Sequence, residues 1–238
     1  MLNKVADGAM ASNVGVRPAA AGAPDAAPLP AFSAAALTAR APDRLIGLGE
    51  PVLERPADFG DHVFNPAIFG DGRPKLRDAA VLVPVVDRGD EATVIFTLRT
   101  PHLKSHAGQI SLPGGKIDPD DVGPVAAALR EAREEIGLSA DEIRPIGFGD
   151  PYIAGTGYRI VPVVGIVRPE HRIVPNAAEV ADVFEVPLSF LMREASFSEG
   201  ERVLRGLTVR YYSLSYGERT IWGITAGILR ALYNRLYG

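Results

Sequence analysis

The sequence predicts a single α/β domain, with a mixed β-sheet and helices packed on its faces. Three observations predict it. Apolar, Val-rich runs of strand length recur from Ala79 onward. Two stretches, from Gly123 to Ile136 and from Ile221 to Leu236, carry apolar residues at helical spacing. Between them the strands and helices do not alternate regularly, so the sheet is expected to be mixed rather than all-parallel.

The elements follow in order. Residues 1–40 are rich in Ala, Pro and Gly, with Pro24, Pro28 and Pro30 among few large apolar groups. Such a segment buries too little surface to offset its ordering entropy. It is expected to be a flexible Ala/Pro-rich arm, either a tail without function or a contact arm in a homodimer. The folded domain is placed at 41–238. From Asp43 to Arg77 the pattern is irregular, broken by Pro51, Pro56, Pro66 and Pro74. Ala79 to Val86 predicts a strand, with an unpaired edge or a bulge at Pro84. A turn at Asp87 to Asp90 leads to a second strand, Ala92 to Arg99, so the two read as a hairpin. A polar loop carries His102, Lys104 and His106 and ends in Leu112-Pro113-Gly114-Gly115.

A helix is predicted from Gly123 to Ile136. Pro124 suits its first turn and Gly137 its left-handed stop. Ala126, Leu129, Ala132 and Ile136 form the expected buried stripe. Ile146 to Phe148, Ile160 to Val167 and Val180 to Val186 read as further strands, the second irregular or at an edge because of Pro162. Val203 to Leu214 alternates around a turn at Gly206. Ile221 to Leu236 closes the chain as an amphipathic helix.

Composition narrows the function classes. The 238 residues carry a formal net charge of −4, 47% hydrophobic residues and no cysteine. The charge argues against nucleic acid as a main partner, because a phosphate backbone needs a basic surface. A small anionic substrate needs only a few local cations. Without cysteine there is no disulfide, thiolate metal site or cysteine nucleophile. No apolar run approaches the roughly 20 residues that cross a bilayer, so no membrane partner is expected and the protein is expected in the cytoplasm. A Gly-x-Ser-x-Gly elbow is also missing, which excludes the commonest serine hydrolase arrangement.

The chemistry is expected on the second half of the first helix, Arg130-Glu131-Ala132-Arg133-Glu134-Glu135-Ile136-Gly137-Leu138. Glu131, Glu134 and Glu135 stand at i, i+3 and i+4, on one face. Like charges at that spacing cost helix stability, and a hard divalent cation compensates them. A charged triplet by itself is usually a solvated face. Here the apolar stripe docks the helix, and Gly114 and Gly115 permit close backbone approach just upstream. Arg130 can hold a carboxylate by paired hydrogen bonds.

Gly115 through Leu138 resembles the Nudix box: a glycine, a distant acid, then Arg-Glu, an apolar residue, any residue, Glu-Glu, any residue, Gly and an apolar residue. Arg130 to Leu138 fits the second half at every position. Gly115 lies one residue farther from Arg130 than in the general box, and Asp121 stands where that box has Glu. The coenzyme A pyrophosphatase branch has a similar extended spacing. It also has an upstream signature that Phe96-Thr97-Leu98-Arg99-Thr100, Leu103-Lys104, Gly108-Gln109 and Leu112-Pro113-Gly114-Gly115 resemble, with Lys104 in place of Arg and Leu112 in place of Phe. Gly157 to Gly165, Phe184 to Leu188 and Ile221 to Ala226 look like that branch too.

The resemblance implies a Nudix-like α/β/α sandwich spanning 41–238. It implies a hydrolase that cuts the diphosphate of coenzyme A or its derivatives into 3′,5′-ADP and 4′-phosphopantetheine, or the acyl form, with Mg²⁺ or Mn²⁺. Glu131, Glu134 and Glu135 are then the metal-binding and catalytic residues. Arg99, Lys104, Gly114 and Gly115 are the substrate-binding ones. Glu179 is expected to be an ordinary surface carboxylate, His102 and His106 loop residues, and Trp222 and Tyr158 core aromatics rather than stacking platforms for a base. Two alternatives stay open: the same chemistry on ADP-ribose, dinucleoside polyphosphates or nucleoside triphosphates, and a nucleotide-sensing module without catalysis.

Overall fold

A computed structural model describes residues 31–69, 75–102, 107–204 and 206–238. In chain order its helices are α1 (Ala34–Arg44), α2 (Asp61–Phe64), α3 (Pro66–Phe69), α4 (Gly123–Ile136), α5 (Leu188–Leu191) and α6 (Ile224–Leu236). Its strands are β1 (Phe59–Gly60), β2 (Arg77–Val86), β3 (Thr93–Arg99), β4 (Ile110–Ser111), β5 (Gly114–Lys116), β6 (Ile143–Phe148), β7 (Tyr152–Ala154), β8 (Tyr158–Val167), β9 (Val180–Pro187), β10 (Ser198–Leu204), β11 (Leu207–Tyr216) and β12 (Arg219–Trp222).

The main sheet is mixed: β2 runs parallel to β8, and β3, β5 and β6 pair antiparallel to their neighbours. The alternation of a strand sends its side chains to opposite faces. Ala80, Leu82 and Val86 of β2, with Val161, Val163 and Val167 of β8, pack on the α4 side. Ala79, Val83 and Val85, with Ile160, Val164 and Ile166, pack on the α1 and α6 side. This is the α/β/α sandwich. A smaller antiparallel sheet, β10-β11-β12, stands beside it.

Pro84 and Pro162 both sit inside strands that are central, not at an edge. β2 and β8 pair with each other along their full length. On its other side β2 pairs with β5 at Ala79 to Val81 and with β3 at Val85 and Val86. Pro84 lies in the gap where one partner gives way to the next. Pro162 lies likewise between the β7 and β6 ladders on the far side of β8. A residue without an N–H is tolerated there because no ladder bond is asked of it.

Three boundaries differ from the sequence expectation. The segment assigned to the arm contains the start of α1, whose Ala34, Leu37 and Ala41 are buried in the core; Ser33 caps the helix by accepting from the Ala36 N–H at 3.1 Å. Small apolar residues thus dock a helix that composition alone reads as arm. Residues 1–30 lie outside the described residues. The last helix starts at Ile224, not Ile221, because Ile221 pairs with Leu214 in β12 and Gly223 turns the chain at φ 66°. The buried stripe of α4 is Ala127, Ala128, Ala132 and Ile136, with Leu129 partly covered; Ala126 falls just outside it. No helix among the described residues is long and apolar enough to cross a membrane.

Gly137 ends α4 in the left-handed region at φ 69°, its N–H bonding to the Ala132 and Arg133 carbonyls. A Cβ added there would stand 2.9 Å from Cβ of Val174. Gly137→Ala is therefore expected to lower unfolding stability by about 1–2 kcal/mol. Urea unfolding should show an earlier midpoint at an unchanged slope. An unshifted midpoint would contradict the strain.

Candidate active site

The site is built where β5 passes between β2 and α4. Gly114 and Gly115 make that passage sterically allowed. A Cβ on Gly114 would lie 2.4 Å from the Ala80 carbonyl oxygen, and one on Gly115 would lie 2.3 Å from Oε1 of Glu131. The two glycines bring bare backbone against the helix face that carries the carboxylates.

On that face Glu131 and Glu135 turn inward and Glu134 does not. The Glu135 side chain is only 4% exposed, that of Glu131 18% and that of Glu134 59%. The inward pair is spaced i, i+4, one helical turn apart. Glu135 Oε1 accepts from Nη1 of Arg99 at 3.3 Å. Its Oε2 is buried without a hydrogen-bond partner, and so is Nε of Arg99. Burial pushes the Glu135 carboxyl up to about 7; Arg99 opposes the shift, and Glu131 and Glu179 add to it. Burial also raises Glu131, against the pull of Arg130.

Arg130 is the hub of the outer half. Its Nε and Nη2 donate to the two carboxylate oxygens of Asp121 at 3.1 and 3.0 Å, and Nη2 also donates to the Lys116 carbonyl at 3.0 Å. Its Nη1 donates to Glu131 Oε1 at 2.9 Å and to Glu134 Oε2 at 3.2 Å. The guanidinium holds the Asp121 carboxyl below the usual carboxylate range, and the Asp121 and Glu131 carboxylates in turn raise the affinity of Arg130 for its proton.

Glu179, which the sequence offers as a surface carboxylate ahead of an extra carboxylate for the site, is half-buried. It follows the segment that caps α4, where Asn176 N–H donates to the Glu135 carbonyl at 2.8 Å. Its charge acts on both Glu131 and Glu135.

Arg99, Gly114, Gly115 and Lys116 open on a cavity of about 630 Å³. Its walls are largely apolar, with Val81, Leu112, Ile160 and Ile224 among them, and it is large enough for a nucleotide-sized ligand. Tyr158, which also packs against the core, and Trp222 both line it. Arg77 lies over the Tyr158 ring at 4.1 Å and Arg202 over the Trp222 ring at 4.7 Å. Lys104 and His106 lie outside the described residues; His102 is exposed.

The chemistry of the donor set fits a hard divalent cation. A buried carboxylate oxygen without a partner, with two further carboxylates acting on it, offers the hard oxygen donors such an ion takes. Among the described residues no group of three His, Asp or Glu side chains is already gathered to hold an ion. Arg130 engages Glu131 and Glu134 in that arrangement.

A family model for the NUDIX domain matches residues 75–205. The chain is similar to the uncharacterized Nudix hydrolase NudL of Citrobacter koseri, 40% identical over 170 residues that cover 71% of this chain and 88% of that protein. The NudL of Enterobacter sp. is 38% identical over 167 residues, covering 67% and 86%. Among solved structures, a MutT/nudix family protein from Enterococcus faecalis aligns with a TM-score of 0.42 at 16% identity, over 68% of this chain and 61% of that one.

The Glu135 carboxyl gives a pH signature of the metal-free protein. Its folded pKa of about 7 lies above the ordinary 4.5. Its contribution to stability is thus fully present below about pH 4.5 and is lost as pH rises through about 7. In chelator, wild type should lose on the order of 3 kcal/mol relative to Glu135→Gln between those limits. Thermal or urea unfolding across pH measures it, and a saturating divalent cation should recover the loss in wild type alone. Parallel curves for the two proteins would refute the burial argument.

Proposed function

Starting from the membership of this chain in the Nudix family, we propose that its cavity takes coenzyme A or a coenzyme A derivative. The scissile diphosphate would lie against Gly114, Gly115 and Arg99, and the products would be 3′,5′-ADP and 4′-phosphopantetheine or its acyl form. The family makes the chain a hydrolase. The observation that supports the reading is that Arg99 and the two glycines line a mostly apolar cavity, while Glu135 pairs with Arg99 and Glu131 packs against Gly115.

Glu131, Glu134 and Glu135 are assigned to the divalent cation, Mg²⁺ or Mn²⁺. When bound, the cation neutralises diphosphate oxygens and lowers the pKa of a coordinated water. The rest falls to the chain. Arg99 is held at the cavity wall by Glu135 and offers its guanidinium to a phosphate oxygen by charge-assisted hydrogen bonds. Gly114 and Gly115 let the phosphates approach backbone. The apolar walls exclude water from the rest of the substrate, which strengthens each electrostatic contact at the reacting end. The proton of the attacking water passes to a carboxylate of the glutamate set. Lys104, in the same loop as the signature residues, is assigned as a second phosphate contact. Cytoplasmic location and a dimeric state belong to the same reading.

Incubating the full chain with coenzyme A, ADP-ribose, dinucleoside polyphosphates and nucleoside triphosphates, with Mg²⁺ or Mn²⁺, and resolving the products by chromatography tests the substrate. Coenzyme A is expected to be the preferred one. A higher kcat/KM on ADP-ribose would overturn the assignment. Glu131→Gln and Glu135→Gln are each expected to lower kcat by about 10²-fold or more. Gly115→Ala is expected to do nearly as much, because its methyl group displaces Glu131. Unchanged turnover in all of them would remove the site.

A further inference from the structure

Part of the cavity wall is formed by the small sheet. Directly paired residues of antiparallel strands share a face. The registers Arg202↔Val209, Gly200↔Tyr211 and Ser213↔Trp222 therefore set Arg202, Val209, Tyr211 and Trp222 on one face. All four line the cavity. Gly200 has a steric reason to be glycine: a Cβ there would lie 2.7 Å from Cζ of Tyr211, so the ring lies across β10. Tyr211 meets Trp222 edge-on, with centroids 5.5 Å apart and planes at 64°. The Arg202 guanidinium lies 4.7 Å from the Trp222 centroid. An indole face fixes a guanidinium while leaving its N–H groups available.

The neighbouring cation makes a useful contrast. Arg210 also borders the cavity, but its guanidinium is paired with Glu199 and approaches Glu201 at 4.0 Å. Among the described residues Arg202 makes no ion pair. One cavity is thus lined by Arg99, which pairs with Glu135, and by Arg202, an aromatic-backed cation without a carboxylate partner among the described residues. β11 and β12 lie beyond residues 75–205, outside the part of the chain that the family model matches.

We propose that Arg202, held by Trp222, is a specificity residue that binds a phosphomonoester on the nucleoside half of the substrate, away from the scissile diphosphate. The inference deepens the substrate reading above and rests on it: the adenosine of coenzyme A carries such a phosphate and that of ADP-ribose does not.

The test is binding, read by titration calorimetry on the full chain, with 3′,5′-adenosine bisphosphate and 5′-AMP as probes. Wild type is expected to bind the bisphosphate about tenfold more tightly, the strength of one charge-assisted contact at a partly exposed site. Arg202→Gln should erase that preference and leave the affinity for 5′-AMP unchanged. Arg202→Lys should keep part of it. Equal affinities in wild type, a preference that survives in Arg202→Gln, or an equal loss of both ligands would each overturn the proposal. Product analysis on coenzyme A separates the two failures. If coenzyme A is cut but the bisphosphate preference is missing, only the role of Arg202 falls. If the preference is present but coenzyme A is not cut, the substrate reading falls and the phosphate subsite stands.

Discussion

The burial of Glu135 against Arg99 is the interaction on which the site depends. A carboxylate taken out of water this far is costly unless it is paired, and the pair here is incomplete: one oxygen of Glu135 and one nitrogen of Arg99 are left without partners. The fold accepts the cost because the flanking residues of α4 are committed elsewhere. Ala132 and Ile136 are fully buried against the sheet, which fixes the rotation of the helix and drives Glu135 inward with them. The apolar stripe thus creates the electrostatic problem, and the unsatisfied oxygen is what a cation answers.

Backbone geometry completes the same constraint. β5 lies close to β2 at Gly114 and to the Glu131 carboxylate at Gly115, and it can pair with β2 only if β2 releases it before β3 joins. Pro84 marks that release, as Pro162 does on β8. The two prolines let central strands change partners midway without leaving ladder donors unmet. The β5 segment that carries the glycines is therefore placed by a proline elsewhere in the sheet. A tilt of β5 by even a small amount would close the gap into which Glu131 fits, since a single methyl on Gly115 already collides with it.

Local pattern made much of this legible. The helix from Gly123 to Ile136, its stop at Gly137, the hairpin of β2 and β3, and the β10–β11 turn at Gly206 all follow from period, punctuation and φ preference. What escaped is what depends on distant pairing. Pro84 and Pro162 read as edge signals because a sequence does not reveal a change of partner. Ile221 and Trp222 continue the helical period of α6, yet cross-strand pairing with Leu214 and Ser213 wins. Glu179 and Arg202 are single charges in unremarkable surroundings. The fold gives each its surroundings, Glu179 through the turn that caps α4 and Arg202 through a face shared by three strands. Spacing groups Glu134 with Glu131 and Glu135, and the structure distinguishes it by exposure: a helix face is about 100° wide, and Glu134 at its margin lies in solvent, where it meets Arg130.

The one-residue extension between Gly115 and Arg130 has a structural reading. The loop closes on itself: the Asp118 N–H donates to Asp121 Oδ2 at 2.9 Å, and the Asp121 N–H returns to the Asp118 carbonyl at 3.0 Å. This tight turn turns Asp121 toward α4, where both its oxygens meet the Nε–Nη2 edge of Arg130. A shorter acid on a longer loop reaches the guanidinium side-on, the geometry that fixes its plane. With that edge occupied, only Nη1 is left for the glutamates, and it is shared between Glu131 and Glu134. Asp121 therefore works on the carboxylates through Arg130. It anchors Arg130, and it leaves that cation a divided and weaker hold on the two glutamates that a divalent ion would claim.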